Sequence, residues 1–415
     1  MTITFSLEKP LRLAHHLQNP QNDLPNYIHV GGINGKTTVA LLLTRLLCTG
    51  SRLRIGTFVH SSPPQSGILL NETPVDSSHY AELWRHVSKM DEIFSTACTV
   101  YEKTVLVALL LFREWQCDVV VLEAALGGTF DATNLLAHAQ GRQLAAVVTN
   151  IAEDHTRLLG TGVECIVANI VGIVRPAASV VVAASQSEAV QTCLSRMDLT
   201  IASSDYQSGH LSDQLTAKDF VLPIPGHQIE DNVDLALRTY QLVSPLLEQI
   251  NGAPLRRPSL GTFVSLALPH VFKEFYYQNR RIILDAAQNS GSTLCTWLRN
   301  SVSAENVHLV LGMSDKGTHL LENMLRSLGT GRFRFSFVNF KPSDDYPWIH
   351  PADRHELCRI LYNQHGQNPT VTNHTELVDV LTDMREELLV IFGSPHIIRD
   401  FYLLCQERGS DKGFK

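Results

Sequence analysis

The stretch His29-Val-Gly-Gly-Ile-Asn-Gly-Lys-Thr-Thr38 carries the strongest indication of fold in this chain. It extends the apolar run Tyr27–Val30, which has the character of a β-strand, and it leads into Val39–Leu47, which has the character of a helix. A strand, a glycine-rich turn ending in Gly-Lys-Thr and a helix form a phosphate cradle, because the turn amides and the helix N-terminus face the anion and the lysine adds a positive charge. The stretch therefore predicts a nucleotide-binding site.

This turn is shorter than the common P-loop, in which another glycine would stand at the position of Val30. On these residues alone a second interpretation stays open. A glycine-rich strand-to-helix turn with a surface lysine is frequent in α/β proteins and needs no ligand. The remainder of the chain has to distinguish between the two.

Length, composition and charge set the broad class of the protein. A chain of 415 residues exceeds the size of one hydrophobic core and predicts two domains. A hydrophobic fraction of 44% and a charged fraction of 18% are typical of a globular protein. The formal net charge of -7, without a long run of lysine and arginine, argues against a broad nucleic-acid-binding surface. Anionic ligands must then be held by local features such as the glycine-rich turn.

The cysteines and the N-terminus indicate the compartment. The eight cysteines are scattered without a Cys-x-x-Cys pair, which disfavours a zinc knuckle or a disulfide framework and predicts reduced thiols. The N-terminus has no signal-peptide pattern, and no apolar run is long enough to cross a membrane. We therefore expect a cytoplasmic protein with no membrane partner. The expected oligomeric state is a monomer.

Short β-rich runs alternate with helical patterns along the chain, which indicates βαβ units on parallel sheets and hence an α/β fold. The runs Asp118–Glu123 and Leu144–Ile151 are nearly continuously apolar, as expected for central strands covered on both faces. Polar residues at the carboxyl ends of such strands lie where ligands bind in open α/β sheets. We therefore expect the functional residues at those strand ends.

The composition changes at Asn251–Leu260, a segment with two prolines that is typical of a linker. A second alternating set of strands and helices follows it. We predict an ATP-binding domain over residues 1–250, a linker over 251–260 and a smaller α/β domain over 261–415.

Four further segments follow the glycine-rich turn. They are Leu122-Glu-Ala-Ala-Leu-Gly-Gly-Thr-Phe-Asp-Ala-Thr-Asn134, Thr149-Asn-Ile-Ala-Glu-Asp-His-Thr-Arg-Leu-Leu-Gly160, Gly226-His-Gln-Ile-Glu-Asp-Asn232 and Leu284-Asp-Ala-Ala-Gln-Asn-Ser290. In this order they resemble the folylpolyglutamate synthase and dihydrofolate synthase family, part of the Mur ligase superfamily. The resemblance extends from about Phe5 to Phe401. It implies a Mur ligase-type central domain with a P-loop and a parallel sheet, followed by a smaller α/β C-terminal domain.

The resemblance implies an ATP- and Mg²⁺-dependent amide ligase. In such enzymes the substrate carboxylate attacks the γ-phosphoryl group of ATP to give an acyl phosphate, and an incoming amine displaces phosphate. The implied small-molecule partners are a folate-like acid and an amino acid, glutamate in the folate enzymes. This reaction depends on neutralising the phosphoryl charge and aligning three reactants more than on a protein nucleophile.

The resemblance also implies roles for individual residues. Lys36, Glu123 and His155 form the implied catalytic set, in which Lys36 contacts the β and γ phosphates and the other two bind the metal. The implied ATP-binding residues are Gly32, Asn34, Gly35, Lys36, Thr37, Thr38, Asn232 and Asp285. Ser62, or Ser61 after a one-residue shift, is the third metal candidate. The implied substrate-binding residues are Thr129, Phe130 and Asp131.

Each of these positions also has a purely structural interpretation. Glu123 could cap the turn that follows its strand, and a histidine such as His155 is often a packed or surface residue. The segment around Ser62 could be an ordinary proline-bounded surface loop. Asn232 could be the N-terminal cap of a helix over Val233–Leu247 instead of an adenosine ligand.

In the implied substrate set, the usual Arg-Leu-Asp of the family has become Thr129-Phe-Asp131, which removes the arginine. The chain departs from the pattern of the family at three further positions. Ile170 stands where the family has a lysine that becomes carbamylated near the metal, and an isoleucine supplies neither charge nor ligand. Ser259–Thr262 replaces a segment with an ATP-binding arginine, a role that Arg256 or Arg257 could take over. Gln288 replaces a histidine and cannot titrate near neutral pH.

Two functional hypotheses from different classes follow. The first is an ATP-dependent ligase that joins a carboxylic acid to an amino acid, favoured by Lys36, Glu123 and Asp285. The second is a catalytically impaired or repurposed relative, with another acid substrate or with nucleotide binding alone, favoured by Ile170 and Gln288. An unrelated P-loop NTPase is disfavoured because the later segments resemble a ligase family.

Overall fold

The computed structural model describes residues 6–61, 63–152, 159–176, 178–202, 227–256, 273–277, 280–285, 294, 297–298, 307–314, 318–328, 333–342, 349–365 and 370–407. The chain divides into two compact units. One comprises Met1–Pro223 and Ile229–Leu266, and the other comprises Ile224–Gln228 and Ala267–Lys415. The predicted linker over 251–260 lies partly outside the described residues, and the predicted domain boundaries stay a prediction.

The first unit is built on a seven-stranded sheet with the order β4-β3-β2-β5-β1-β6-β7. Its strands are β1 Asn26–Gly31, β2 Ile55–Phe58, β3 Ile68–Leu70, β4 Thr73–Pro74, β5 Val119–Glu123, β6 Arg142–Val148 and β7 Val180–Val182. Each neighbouring pair in the row β2-β5-β1-β6-β7 is parallel. β3 pairs antiparallel with β2, and β4 pairs antiparallel with β3, so these two strands form an antiparallel edge. β1, β2 and β5 are almost wholly buried, which explains their continuously apolar sequences.

The register of this sheet brings the carboxyl ends of its central strands together. Val30 of β1 pairs with Glu123 of β5, and Gly31 pairs with Val148 of β6. β2 also runs parallel to β5 and ends beside it. The connections that follow these strands therefore lie side by side at one edge of the sheet, where open α/β sheets bind ligands.

Helices and apolar clusters pack around this sheet. The described α-helices are α1 Glu8–His16, α2 Lys36–Gly50, α3 Ser77–Phe94, α4 Val100–Glu114, α5 Val163–Ile170, α6 Glu188–Ser195 and α7 His227–Asn251, and the short 3-10 helices are Pro20–Asp23, Pro64–Gly67, Ala132–His138 and Val171–Ile173. α4 begins with a capping box, because Thr99 and Glu102 each accept a hydrogen bond from the backbone N–H of the other. One apolar cluster joins α1 and α4 to the sheet, and another joins α5 and α6 to β6 and β7.

The second unit contains a six-stranded sheet with the order β12-β11-β10-β13-β9-β8. Its strands are β8 Lys273–Tyr277, β9 Arg280–Asp285, β10 Val307–Gly312, β11 Arg334–Phe337, β12 Thr370–Val371 and β13 Leu388–Gly393. β8 is antiparallel to β9, and the other neighbouring pairs are parallel. The described α-helices of this unit are α8 Thr318–Leu328, α9 Arg354–His365, α10 Leu377–Thr382 and α11 Pro395–Glu407. Its apolar core gathers side chains of β9, β13, α10 and α11.

The predicted α/β class, with parallel sheets in both halves, is confirmed. The expected helix start at Val233 is wrong, because α7 begins at His227. Within the described residues, no helix combines the length and the apolar character that crossing a membrane requires.

Candidate functional site

The turn after β1 has the geometry of an anion cradle. β1 ends at Gly31, and α2 begins at Lys36 with Gly35 as its N-terminal cap. The φ angles of 138° at Gly32 and 87° at Gly35 fall in the region that favours glycine. Lys36 Nζ donates a hydrogen bond to the carbonyl oxygen of Ile33 at 3.0 Å, which holds the ammonium group at the turn. The positive dipole end of α2 adds to this charge.

The other residues of the turn are fixed by its surroundings. The backbone N–H groups of Ile33 and Asn34 donate to the carbonyl oxygen of Asn150 at 2.9 and 3.4 Å. Thr38 is buried in the first turn of α2. The structure therefore brings six of the predicted ATP-binding residues into one continuous turn: Gly32, Asn34, Gly35, Lys36, Thr37 and Thr38.

Asn232 packs directly against this turn. A Cβ atom placed on Gly35 would lie 2.8 Å from Nδ2 and 2.9 Å from Cγ of Asn232, and closer still to Oδ1. Only a glycine therefore allows α7 to approach the turn at this point. The interpretation of Asn232 as a helix cap is wrong, because a cap precedes the helix and α7 begins well before it at His227. Asn232 instead forms one wall of the phosphate turn.

A buried carboxylate stands beside the turn. Glu123 is the last residue of β5, is 3% exposed and pairs with Val30. The Thr37 hydroxyl lies 2.8 and 3.0 Å from its two oxygens, and the His60 backbone N–H donates to Oε2 at 3.1 Å. Burial raises the pKa of Glu123 to about 7, although Lys36 and the bonds from Thr37 and His60 act in the opposite direction. A cation beside this carboxylate would offset the cost of its burial.

Asp131 organises the loop that follows β5. Its carboxylate accepts hydrogen bonds from the N–H groups of Ala125 and Leu126 at 2.9 and 3.1 Å. It also accepts from the N–H and hydroxyl of Thr133 at 2.9 and 2.6 Å and from the hydroxyl of Tyr101 at 2.9 Å. These five hydrogen bonds occupy both carboxylate oxygens, so Asp131 stabilises the conformation of the loop. The resemblance implies a different role for Asp131, a contact with substrate.

The two neighbours of Asp131 in the predicted substrate set differ in exposure. Thr129 donates its N–H and its hydroxyl to the carbonyl oxygen of Asn169 at 2.9 and 3.0 Å. Asn169 Oδ1 also accepts from the N–H of Gly128 at 3.0 Å, which ties the loop to the end of α5. Phe130 is 48% exposed. Phe130 is therefore the member of the set that projects from the loop.

Ile170 places a hydrocarbon side chain at the position where the resemblance implies a lysine. It is fully buried in an apolar cluster that also contains Ile166, Ile173 and Val148. A Cβ atom placed on Gly31 would lie 3.6 Å from Ile170 Cγ2 and 2.9 Å from Ile173 Cδ1. The space beneath the end of β1 is therefore closely packed by methyl groups. No charged group is supplied from Ile170.

The remaining predicted residues lie in the second unit, in the segment after β2 or outside the described residues. Asp285 is the last residue of β9 in the second unit, is 5% exposed and pairs with Phe392. Ser62, Asp154, His155, Arg257, Thr262 and Gln288 lie outside the described residues. In the part of the chain that the structure describes, no group of three or more His, Cys, Asp or Glu side chains is placed to hold a metal ion. The Ser61 hydroxyl, the alternative to Ser62, lies 2.7 Å from that of Ser66.

Comparison with known proteins finds relatives of this chain. Residues 271–404 match the family model described as "Dihydrofolate synthetase, C-terminal domain". The chain is 24% identical over 420 residues to the dihydrofolate synthetase of Saccharomyces cerevisiae, across 96% of this chain and 97% of that protein. It is 39% identical over 166 residues to the dihydrofolate synthase/folylpolyglutamate synthase of Haemophilus influenzae, across 38% of this chain and 35% of that protein. The chain is therefore similar to dihydrofolate synthetase over nearly its whole length, and to dihydrofolate synthase/folylpolyglutamate synthase over part of it.

Solved structures share the fold of this chain. E. coli FolC in complex with DHPP and ADP matches with a TM-score of 0.76 and 20% identity, covering 99% of this chain and 95% of FolC. A bifunctional folylpolyglutamate synthase/dihydrofolate synthase with Mn, AMPPNP and L-glutamate bound matches with a TM-score of 0.74 and 21% identity, covering 98% of this chain and 95% of the other. These likenesses show that the chain shares the fold of those structures.

Some residues at the candidate site lack a distinctive sequence signal. Tyr101, Asn169 and Gln186 have no role in the sequence-based prediction, yet all three bond to a strand-end segment at the site. Asn169 alone had a signal, since it precedes Ile170 in a segment that already departed from the family pattern. Amides and hydroxyls that bond to backbone atoms are common everywhere in proteins, so only the fold shows which of them matter.

Proposed function

We propose that this protein is an ATP- and Mg²⁺-dependent carbon–nitrogen ligase that adds glutamate to a folate or folate-like acid through an acyl phosphate. The observation that carries the proposal is the Thr37 hydroxyl, which joins the phosphate turn to the buried carboxylate of Glu123. Phosphates held at this turn would lie beside a carboxylate suited to bind their metal ion. The full-length similarity to a dihydrofolate synthetase supports the folate-like substrate class.

The donors around Glu123 fit a magnesium ion. Magnesium prefers hard oxygen ligands, and this site offers a buried carboxylate next to the hydroxyl of Thr37. Burial raises the pKa of Glu123 in spite of the nearby Lys36 and the hydrogen bonds that Glu123 accepts from Thr37 and His60. A bound cation would therefore stabilise the ionised carboxylate further. Ser62 and His155 would join Glu123 as ligands in this proposal. A bound magnesium ion supplies charge neutralisation at the phosphate oxygens.

The residues of the chain itself supply charge and orientation in the proposed reaction. Lys36 and the first amides of α2 would hold the β and γ phosphates and stabilise the charge on the transferring group. Asn232 and Asp285 would contact the adenosine part of ATP. The carboxylate of the acid substrate then attacks the γ-phosphoryl group, which breaks its bond to ADP and gives an acyl phosphate. The amino group of glutamate attacks the acyl carbon, phosphate leaves and the nitrogen loses a proton, which gives the amide. No protein nucleophile is needed, because alignment of the reactants lowers the barrier.

The acid substrate would bind beside the loop after β5. Phe130 offers an exposed aromatic ring that can stack on a flat heterocycle, and Thr129 replaces the arginine of the family at the same loop. Neighbours with the same fold contain DHPP or L-glutamate in their structures. We propose the same classes of acid and amino acid for this chain, with the acid altered where Thr129 removes a positive charge.

Ile170 favours a second candidate function. Its burial among methyl groups removes a negative group that the family pattern places near the metal. A protein that binds nucleotide but transfers no phosphoryl group would tolerate this replacement. The alternative is therefore a nucleotide-binding relative with impaired catalysis or with another acid substrate.

One experiment separates these functions. Purified protein is incubated with ATP, Mg²⁺, dihydropteroate or dihydrofolate, and glutamate, and the products are followed by phosphate release and mass spectrometry. The ligase predicts ADP, phosphate and an acid that has gained one glutamyl unit. Lys36→Ala should abolish this product, whereas Lys89→Ala, at an exposed position of α3, should leave it unchanged.

Binding measurements resolve a negative result. If ADP binds to the wild-type protein with Mg²⁺ but no acid yields product, the nucleotide-binding relative is supported. If neither ADP nor ATP binds, both proposed functions are refuted.

We also propose a cytoplasmic location and a monomeric state. The seven described cysteines are free thiols, which agrees with a reducing compartment. Size-exclusion chromatography with light scattering would test the oligomeric state, and fluorescence microscopy of the tagged protein would test the location.

A further inference from the structure

The segment Thr149–Ile151 follows β6 and lies against the glycine-rich turn Gly31–Gly35, called the phosphate turn here. We call Thr149–Ile151 the floor segment. Its contacts with the turn are made by the backbone. The N–H of Thr149 donates to the carbonyl oxygen of Gly31 at 2.9 Å, and the carbonyl oxygen of Asn150 accepts from the N–H groups of Ile33 and Asn34 at 2.9 and 3.4 Å. Three turn residues in sequence order, Gly31, Ile33 and Asn34, therefore take their position from this floor segment.

The fit between the floor segment and the turn leaves little freedom. A Cβ atom placed on Gly32 would collide with the hydroxyl of Thr149 and would lie 3.1 Å from its backbone nitrogen. The Thr149 side chain is fully buried, and within the described part of the chain its hydroxyl has no hydrogen-bond partner. Since the two backbones touch here, a small displacement of the floor segment would displace the turn as well.

The other side of the floor segment is only partly packed. Ile151 is 3% exposed and belongs to an apolar cluster with Ile166 and Val190. Asn150, Ile151 and Ala152 also border a cavity of about 410 Å³, which is also lined by Ser185 and Ser187 among others. Atoms that face the cavity make fewer packing contacts there, so a polar interaction with the backbone contributes to fixing the segment.

Gln186 supplies that interaction. Its Nε2 donates to the carbonyl oxygen of Thr149 at 2.8 Å, and its Oε1 accepts from the N–H of Ile151 at 3.0 Å. The side chain is 7% exposed, so both hydrogen bonds are shielded from water. The two bonds bracket Asn150, whose carbonyl oxygen is the acceptor for the turn. Gln186 therefore fixes the floor segment on both sides of the atom that anchors the phosphate turn.

We propose that Gln186 is a positioning residue for nucleotide binding: it holds the Asn150 carbonyl group in place and thereby holds the turn amides in the geometry that receives phosphate. This proposal rests on the proposed nucleotide site at Gly32–Thr38. Gln186 itself touches no reacting group. Its effect reaches the ligand through the floor segment.

The variant Gln186→Glu tests the proposal with a readout that packing alone would not move. A glutamate has nearly the same shape, but when ionised it has no hydrogen to donate to the Thr149 carbonyl oxygen and repels it. Burial raises the pKa of such a carboxyl group, so at pH 6 the protonated form can again donate and accept. We measure ADP affinity by calorimetry, with and without Mg²⁺, at pH 6 and pH 8. We expect affinity about tenfold or more below wild type at pH 8, recovering to within about threefold at pH 6.

Gln143→Glu is the matched control. Gln143 in β6 is also 7% exposed and also joins two backbone groups, since its Nε2 donates to the Ile173 carbonyl oxygen at 2.9 Å and its Oε1 accepts from the Arg175 N–H at 2.8 Å. It does not contact the floor segment. We expect Gln143→Glu to lower thermal stability at pH 8 as much as Gln186→Glu does, while its ADP affinity stays within about twofold of wild type.

The outcomes distinguish this proposal from the function on which it rests. If wild-type protein binds no ADP, the proposed nucleotide site fails. If wild-type protein binds ADP and the two variants lose stability and affinity in parallel, or Gln186→Glu keeps its affinity at pH 8, the positioning role of Gln186 is refuted. Should Gln186→Glu fail to fold at pH 8, the uncharged pair Gln186→Met and Gln143→Met is compared by the same measurement, and equal ADP affinities overturn the proposal.

Discussion

Replacing Gly35 with alanine should damage the phosphate turn by two separable effects. The first is backbone strain, because the φ angle of 87° lies in the left-handed region, where a Cβ atom is unfavourable by about 1–2 kcal/mol. The second is a collision, because the new Cβ atom would lie 2.8 Å from Nδ2 and 2.9 Å from Cγ of Asn232. Asn232 is buried and must leave its preferred rotamer, which costs about 0.5–1.5 kcal/mol. The expected loss of folding free energy is therefore about 1.5–3.5 kcal/mol.

The chain contains a control that isolates the strain. Gly252, just beyond α7, also has a left-handed φ, of 67°, but a Cβ atom there would meet nothing within 4 Å. Gly252→Ala should therefore lose only about 1–2 kcal/mol. Thermal unfolding measures both variants, since each kcal/mol shifts the midpoint by roughly 2–4 °C for a unit of this size. ADP affinity should fall in Gly35→Ala and stay unchanged in Gly252→Ala.

A double-mutant cycle with Asn232→Ala completes the test. Removing the Asn232 side chain should relieve the collision, so the double variant should be more stable than the sum of the two single effects by about 1 kcal/mol. Equal losses in Gly35→Ala and Gly252→Ala, or strict additivity in the cycle, would refute the assigned close contact between α7 and the phosphate turn.

Three further predictions follow from the first unit. Burial, reinforced by the charge of Arg175, lowers the pKa of His29 from 6.5 to about 3. Below about pH 6.5 the unfolded chain therefore binds a proton that the folded chain does not bind. The free energy of unfolding, measured in urea, should fall as the pH drops and should be about 2 kcal/mol lower at pH 5. His29→Gln should flatten this dependence, and an unchanged slope would contradict the assignment. Thr37→Val should lower the free energy of unfolding in urea at pH 8 by about 1.5–3 kcal/mol, because Glu123 loses the hydroxyl donor of Thr37. Thr37→Ser keeps that donor and should be more stable than Thr37→Val. Equal stability of the two variants would exclude this role of the hydroxyl. Ile170→Lys should lower the free energy of unfolding, measured by heat or urea, by more than about 3 kcal/mol, because the new ammonium group would be buried among methyl groups. A variant as stable as the wild type would show that the apolar cluster can accommodate a charge.

Strand and helix patterns were strong enough in the sequence to predict the α/β class. Buried parallel strands must be apolar along their length, and Val119–Glu123 and Arg142–Val148 follow that rule. Helix ends were less predictable. Asn232 looked like a cap because capping residues are recognised locally, whereas α7 extends further towards the N-terminus, to His227.

The sequence by itself indicated a glycine-rich turn between a strand and a helix and placed Glu123 at the end of a buried strand, because both depend on short-range pattern and residue chemistry. Only the tertiary structure decided what those residues contact. Parallel pairing places Val30 beside Glu123, which brings Thr37 to the carboxylate across a large separation in sequence. The same register places the Asn150 carbonyl group beneath the turn, where Gln186 holds it. Such contacts arise from strand order and register, and neither is written in any single segment of the chain.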